Sequence, residues 1–576
     1  MLSGIPYVKV VIDKVTNSIH FLDEAARLLH VQYIAKHILD LPPGEIERIL
    51  DAFNHSVMRA PDRRFYLATL GQYERGGSPF YALETTEVDT MSADMARDLY
   101  ERVRRSVVGP PVFFKPANHL QERFVALIPP DELPRVHATE LYASSPFVPL
   151  RPGRAHGRLR AFGSEAEYRA AEPLRWFDIV VMDRVPEDIP RVSGILNSAH
   201  TTPLSHTNIL ARGWDIPNAV QLGVLDTIAR DGLDGAWVVY EVDPAQPSVR
   251  LSRGEPLPVD AGPPRRAVVV PVADTAHDEI APLDRIGIAD AVRYGTKAAH
   301  VGEVARVLRD GSDRLLGYYE RPRPPRPNLL AHLARLLDEP RPDALADAAN
   351  RLLRETLSVP PGIALPFGTA NTDDLGARVA AALAHHVGPG PYAVRSSSDA
   401  EDLPGFSAAG IYESLTGVAA EDVPAAIARV RASLRSPRAT RLRREAGIAD
   451  AHMAVIVQRQ VHGDLGGVMV TANPVQPADI RGVFLNISPR SVEDVVSGAA
   501  LPIEHVYNTM EGGGRTLSLG AFQSDVDDTV KPLLARLALA GRLLQAHFAD
   551  GDQPVDVEWV AADGRAHLVQ IRPFGG

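Results

Sequence analysis

A histidine in a short loop ahead of a helix is the first place in this chain where residue types and spacing point to chemistry. The stretch Thr201-Thr202-Pro203-Leu204-Ser205-His206-Thr207-Asn208-Ile209-Leu210-Ala211-Arg212 runs on to Trp214-Asp215-Ile216-Pro217-Asn218-Ala219. Ser205 is a good helix N-cap, and Ile209, Leu210 and Arg212 follow at helical spacing, which places His206 in the first turn. Unpaired backbone N–H groups and the positive end of the helix dipole disfavour imidazolium there and attract anions. A neutral imidazole beside an anion-binding helix end is suited to accept a phosphoryl group. On local chemistry alone, a structural or solvated role is the commoner fate of any one among 19 histidines, and His200 is a local competitor.

A second constellation lies at Tyr392-Ala-Val-Arg395-Ser396-Ser397-Ser398-Asp399-Ala400-Glu401-Asp402-Leu403-Pro404-Gly405-Phe406-Ser407-Ala408-Ala409-Gly410. An apolar strand delivers Arg395 at its end, and a guanidinium fork suits phosphate oxygens. The small residues Ser407 to Gly410 form a loop whose backbone N–H groups can close over phosphates.

Both stretches resemble the phosphoenolpyruvate synthase and pyruvate phosphate dikinase family. Ser205-His206, Ile209, Ala211-Arg212 and Ile216-Pro217 match its phosphohistidine loop, with Asp215 where the family has glycine. Arg395-Ser396-Ser397, Ala400-Glu401-Asp402 and Ser407 to Gly410 match its ATP-grasp signature. The resemblance covers about three quarters of the chain, from about 145 to 576. It implies that His206 is the phosphorylated residue and that Lys297, in Tyr294-Gly295-Thr296-Lys297, binds phosphate. It implies that Gln458, in Val455-Ile-Val-Gln458-Arg459, meets the adenine, and that Arg572 faces the phosphates. Glu558 and Gln570, in Asp556-Val-Glu558-Trp559 and Gln570-Ile-Arg572-Pro573, are implied to hold Mg²⁺, with Glu493 as a second carboxylate. A strand pair can aim Glu558 and Gln570 at one Mg²⁺, which favours hard oxygen ligands. Ala472 stands where the family usually has an arginine, Thr296 replaces a glycine, and Arg490-Ser491-Val492-Glu493 replaces Gly-Leu-Gly-Glu.

The elements that must position these residues follow from the rest of the chain. Its 576 residues are enough for two to four domains, and 45% hydrophobic with 23% charged residues describe ordinary globular protein. A net charge of −11 argues against a nucleic-acid binder. The absence of cysteine excludes disulfides and thiolate chemistry. The N-terminus reads as a strand, with no signal peptide, and no apolar run reaches the ~18–20 residues that span a bilayer, so a cytoplasmic protein without membrane partners is expected. Only six lysines are present, which makes Lys297 more conspicuous.

The fold class expected is α/β multidomain: an N-terminal α/β domain over 1–140, a swivelling phosphohistidine domain over 145–252 and a C-terminal ATP-grasp domain over 268–576. Tyr7 to Ile12 and Ser18 to Leu22 read as a hairpin around Thr16-Asn17, and Met91 to Val108 as a helix capped by Ser92. Phe80 to Glu87 and Phe124 to Ile128 read as strands. Lys115, His119, Glu122 and Arg123 read as a solvated loop, with ligand contact as the alternative. Phe65, Tyr66 and Tyr73 suit core packing more than stacking on a ring. The Pro/Gly segment 253–267 reads as a semi-rigid tether between domains. Residues 311–358 look like an insertion with no assigned role.

The resemblance implies an AMP-forming dikinase cycle using ATP and Mg²⁺, in which His206 takes the β-phosphate and passes it to a small-molecule or saccharide acceptor. The chain ends directly after the ATP domain, so pyruvate is not the expected acceptor, and the region 1–140 is left to bind it. The alternatives are a partner-dependent phosphocarrier and a nucleotide-binding regulatory protein without turnover. The sequence leaves open the acceptor, the fate of the γ-phosphate and the oligomeric state.

Overall fold

The computed structural model describes residues 5–22, 28–42, 44–143, 145–186, 189–258, 268–323, 328–401, 403, 410–448, 450–463, 465–476, 478–489, 500–549 and 552–574. It is a mixed α/β structure whose described strands form four sheets.

The first sheet has the order Ser18–Leu22, Tyr7–Asp13, Phe65–Arg75, Ser78–Thr85, Val112–Lys115. Alternation along its strands serves two cores, because successive side chains point to opposite faces. Val10, Ile12, Tyr66 and Ala68 face helix Ala93–Ser106, which offers Ala96, Leu99 and Val103. Val11, Phe65 and Leu67 face helix Glu45–Met58 through Ile46, Phe53 and Val57. The hairpin turn holds Asn17 at φ 55°, and Ser92 Oγ accepts from Met95 N, as the sequence predicts.

Two readings of this region are corrected. Phe124 to Ile128 is not a strand: helix His119–Ala126 runs through it, capped by Asn118, whose Oδ1 accepts from Gln121 N at 3.0 Å. Five apolar residues in a row carry no period that separates a short strand from a buried helical turn, and the cap decides. Nor are Lys115 and His119 solvated. Lys115 is buried against Glu84, and His119 is buried against the fourth sheet.

The second sheet has the order Arg250–Arg253, Trp237–Val242, Gly153–Ala161, Asp178–Met182, Gly194–Asn197, Asn218–Gln221, Phe147–Arg151. The four strands from Gly153–Ala161 to Asn218–Gln221 are parallel. Helix His206–Trp214 is the crossover between the last two, so His206 follows the carboxyl end of a parallel strand, where open α/β sheets place their ligands.

The third sheet has the order Ala281–Pro282, Gly362–Leu365, Met453–Arg459, Tyr392–Ser398, Ser414–Val418, and helices Leu375–His386 and Val423–Ser433 cover one face. The fourth has the order Leu357–Ser358, Arg565–Pro573, Val555–Ala562, Leu465–Val470, Gly482–Ser488, Ile503–Asn508, Gly514–Ser518. Met469, Leu485, Val557, Trp559 and Ile571 of the fourth sheet enter the largest core, with helix Lys531–Ala549. The described residues of 311–358 contribute to that core. Leu315, Tyr318, Tyr319, Leu329, Leu333, Leu345 and Leu353 all belong to that core. Among the described residues no helix is long and apolar enough to cross a membrane.

Candidate functional site: a histidine loop seated on a polar sheet face

The loop at His206 is built from inside. Ser205 is the N-cap of helix His206–Trp214 and its Oγ accepts from Asn208 N at 3.4 Å. Asn208 Nδ2 donates to the Thr202 carbonyl at 2.6 Å, and Asn218 Nδ2 donates to Asn208 Oδ1 at 2.7 Å. Thr207 Oγ1 donates to the Val185 carbonyl at 3.0 Å. These bonds fix the loop backbone and leave His206 half-buried at the amino end of the helix. The helix stops at Asp215 with φ 60°, a left-handed cap that explains why glycine is the family's residue there and why aspartate is tolerated. His200 instead lies beside Tyr142, with ring centroids 5.9 Å apart.

The loop rests on the face of the fourth sheet turned away from the largest core. Leu204 and Ile209 pack on Val468, Val470, Phe484, Val506 and Phe574. Thr202 hydrogen-bonds Asn486, and the Arg212 guanidinium stands 4.9 Å from the Phe574 ring centroid. Strand register makes the chemistry of that face explicit, since directly opposed residues share a side. One row reads Gln570, Glu558, Val468, Asn486, Glu504. The next reads Arg572, Asp556, Val470, Phe484, Val506. The histidine loop and the expected phosphate and metal ligands therefore share one face, while the opposite face is core.

The third sheet closes on the same place. Arg395 Nη1 lies 3.6 Å from Glu558 Oε2. Two residues along its strand, Ser397 Oγ donates to the Tyr294 carbonyl at 2.7 Å and accepts from Ala298 N at 3.1 Å. This bond locks a kink at Gly295, φ 77°, after which the helix restarts. A Cβ at Gly295 would lie 2.4 Å from the Ser397 carbonyl oxygen, so only glycine fits. Lys297 sits just past the kink, and its Nζ lies 2.6 Å from Glu401 Oε1. Arg572 Nε donates to Asp556 Oδ2 at 2.9 Å.

The expected residues divide accordingly. Arg395 and Glu558 meet directly, Gln570 is cross-strand from Glu558, and Arg572 occupies the adjoining row. Lys297 joins through its helix and Ser397, and is held by Glu401. Gln458 shares the face of Arg395 one residue pair away, but its Nε2 donates to the Pro360 carbonyl at 2.9 Å. Gly410 has φ 64° and its carbonyl accepts from Arg438, a contact that does not involve the other candidates. Ser407 and Glu493 lie outside the described residues. Asp556, Glu401, Asn486 and Glu504 were missed as partners of the site, although period-2 alternation from Glu558 and Arg572 would have found Asp556.

Electrostatics mark the docking contact. Glu504 is buried, hydrogen-bonds Thr202 and Tyr142, and is pushed by burial up to about 7. Burial, with Arg151 nearby, draws Arg212 down to about 10.

Residues 370–575 match the family model described as pyruvate phosphate dikinase, AMP/ATP-binding domain. Over this segment the chain is similar to the phosphoenolpyruvate synthase and pyruvate phosphate dikinase family. Curated relatives of that family agree. A rifampicin phosphotransferase of Streptomyces sp is 32% identical over 322 residues, covering 51% of this chain and 35% of its own length. The rifampicin phosphotransferase of Bacillus subtilis (strain 168) is 32% identical over 206 residues, 32% of this chain and 23% of that one. The phosphoenolpyruvate synthase of Pyrococcus furiosus is 32% identical over 213 residues, 32% of this chain and 26% of that one. The matches thus span about a third or less of these dikinase-family relatives.

Proposed function

We propose that the protein is an ATP-dependent, AMP-forming phosphotransferase that works through phospho-His206. In this reading residues 268–576 act as an ATP-grasp unit, with the third and fourth sheets closing on the nucleotide, and residues 145–252 carry the histidine between two sites. The observation that carries it is the seating of the His206 loop on the face that holds Glu558, Gln570 and Arg572, opposite Arg395.

His206 attacks the β-phosphorus of ATP, the bond to the α-phosphate oxygen breaks, and AMP leaves. The terminal phosphate is then lost to water or to phosphate. The remaining phosphoryl group passes from His206 to a hydroxyl of a small-molecule or saccharide acceptor, a class supported by the small-molecule name of the rifampicin phosphotransferases. Phosphoryl transfer needs positioning and charge neutralisation more than covalent help, and Lys297, Arg395 and Arg572 supply fixed positive charge. Glu558 and Gln570 place a carboxylate and a carboxamide oxygen side by side, a hard-oxygen pair that fits Mg²⁺. Bound there, Mg²⁺ would neutralise phosphate charge. Once phosphorylated, the loop must leave this face, breaking the contacts of Thr202 with Asn486 and Glu504.

The test is a nucleotide product assay with Mg²⁺ and ATP, with and without inorganic phosphate. The reading expects AMP. Production of ADP alone, or no turnover, would contradict it.

A further inference from the structure

Away from the His206 face, two imidazoles and a carboxylate converge where the first sheet's region meets the fourth sheet. His119 opens helix His119–Ala126, His505 lies on strand Ile503–Asn508, and Asp525 lies ahead of helix Lys531–Ala549. One ligand atom from each lies within 4.8 Å of the other two. Both Nε2 atoms point to one centre: His119 Nε2 is 3.0 Å and His505 Nε2 is 3.1 Å from Thr516 Oγ1. His505 Nε2 is also 2.7 Å from Asp525 Oδ1, and Thr516 Oγ1 donates to Asp525 Oδ2 at 2.6 Å.

We propose that His119, His505 and Asp525 form a binding site for a divalent cation of the zinc type, which ties residues 1–140 to the nucleotide-binding part of the chain. Two imidazoles and a carboxylate are a familiar zinc donor set, and they come here from separate elements, so the ion acts as a cross-link. The hydroxyl of Thr516 sits at the centre the ion takes and yields by rotating about its Cα–Cβ bond.

The surroundings suit a cation. Tyr507 OH lies 3.3 Å from His505 Nδ1, on the far side of the ring, and so holds Nε2 toward the centre. Lys531 opposes a cation, at 3.0 Å from Asp525 Oδ2, but it is shared with Asp528 at 2.8 Å. Asp525 and Asp528 together outnumber the Lys531 ammonium they share.

The experiment uses the full chain, freed of metal by dialysis against a chelator, then titrated with Zn²⁺ in competition with a chromophoric indicator. His119→Gln retains a hydrogen-bonding side chain and guards against loss of the fold, and Asp525→Asn changes only the charge. The proposal expects one tightly held zinc in the wild type that H119Q loses, at least tenfold weaker binding in D525N, and a zinc-dependent rise in Tm confined to the wild type. Failure of the wild type to take up zinc at micromolar free metal overturns it, as does wild-type affinity in either variant.

Discussion

Arg395 Nη1 and Glu558 Oε2 stand 3.6 Å apart although they belong to different sheets. Their approach is one point of contact between the third and fourth sheets. A guanidinium so placed offers planar donors to phosphate, while the carboxylate keeps it aimed before a nucleotide arrives. Arg395→Ala should lower the rate of AMP formation by about 100- to 1,000-fold, the range for removing a preorganised charge at a reacting group, with Arg395→Lys intermediate. Steady-state assays of AMP release at saturating Mg²⁺ check this, and an alanine variant within threefold of wild type would refute the role.

On the proposed mechanism Glu558→Gln should act differently, because Glu558 is there assigned to the metal and not to the phosphate. The expected outcome is a rise of tenfold or more in the Mg²⁺ concentration for half-maximal AMP formation, with partial recovery at high Mg²⁺. A Mg²⁺ titration of wild type and variant decides, and an unchanged midpoint would remove Glu558 from the ligand set.

Gly295 is where the backbone leaves no choice. Its φ is 77°, and a Cβ there would meet the Ser397 carbonyl oxygen at 2.4 Å. Gly295→Ala should cost about 2 kcal/mol or more, from the left-handed backbone and the clash together. Thermal unfolding would show the loss, and the variant should also lose AMP formation, because the same kink sets Lys297. A variant with wild-type Tm would mean that the kink is not held as described.

Docking of the histidine loop should depend on pH through Glu504. Its carboxyl is raised from 4.5 to about 7 by burial, with Thr202 and Tyr142 as its partners. The seated state therefore holds a proton that the released, solvated carboxyl does not, so seating is favoured below about 4.5 and weakens as pH rises to about 7. Hydrogen exchange of the 201–212 segment should accelerate across that window in the wild type, and the dependence should flatten in Glu504→Gln. Equal slopes in the two proteins would exclude Glu504 as the titrating group.

Much of this site can be read along the chain, because its parts are local. Ser205, His206 and the helical spacing of Ile209 and Leu210 specify a capped helix and its first turn. Arg395 at the end of an apolar run, and Glu558 and Gln570 in two alternating strands, specify a strand end and a cross-strand pair. What could not be read depends on tertiary context. Phe124 to Ile128 is apolar enough for either state, and the Asn118 cap and burial against neighbours settle it as helix. Lys115 looks solvated until Glu84, 31 positions away in sequence, is seen to bury with it. Glu504 and Asn486 carry no motif, and their role appears only when Thr202 is laid on them from the loop ahead of helix His206–Trp214.

The measurement that bears most directly on the central claim is phosphoryl transfer from ATP labelled separately at the β- and γ-positions, followed on the intact protein and on His206→Ala. The account predicts that the β-label remains on wild-type protein after AMP release, in an acid-labile and base-stable linkage, and that H206A carries none. Label retained only from the γ-position, or equal labelling of H206A, would contradict it.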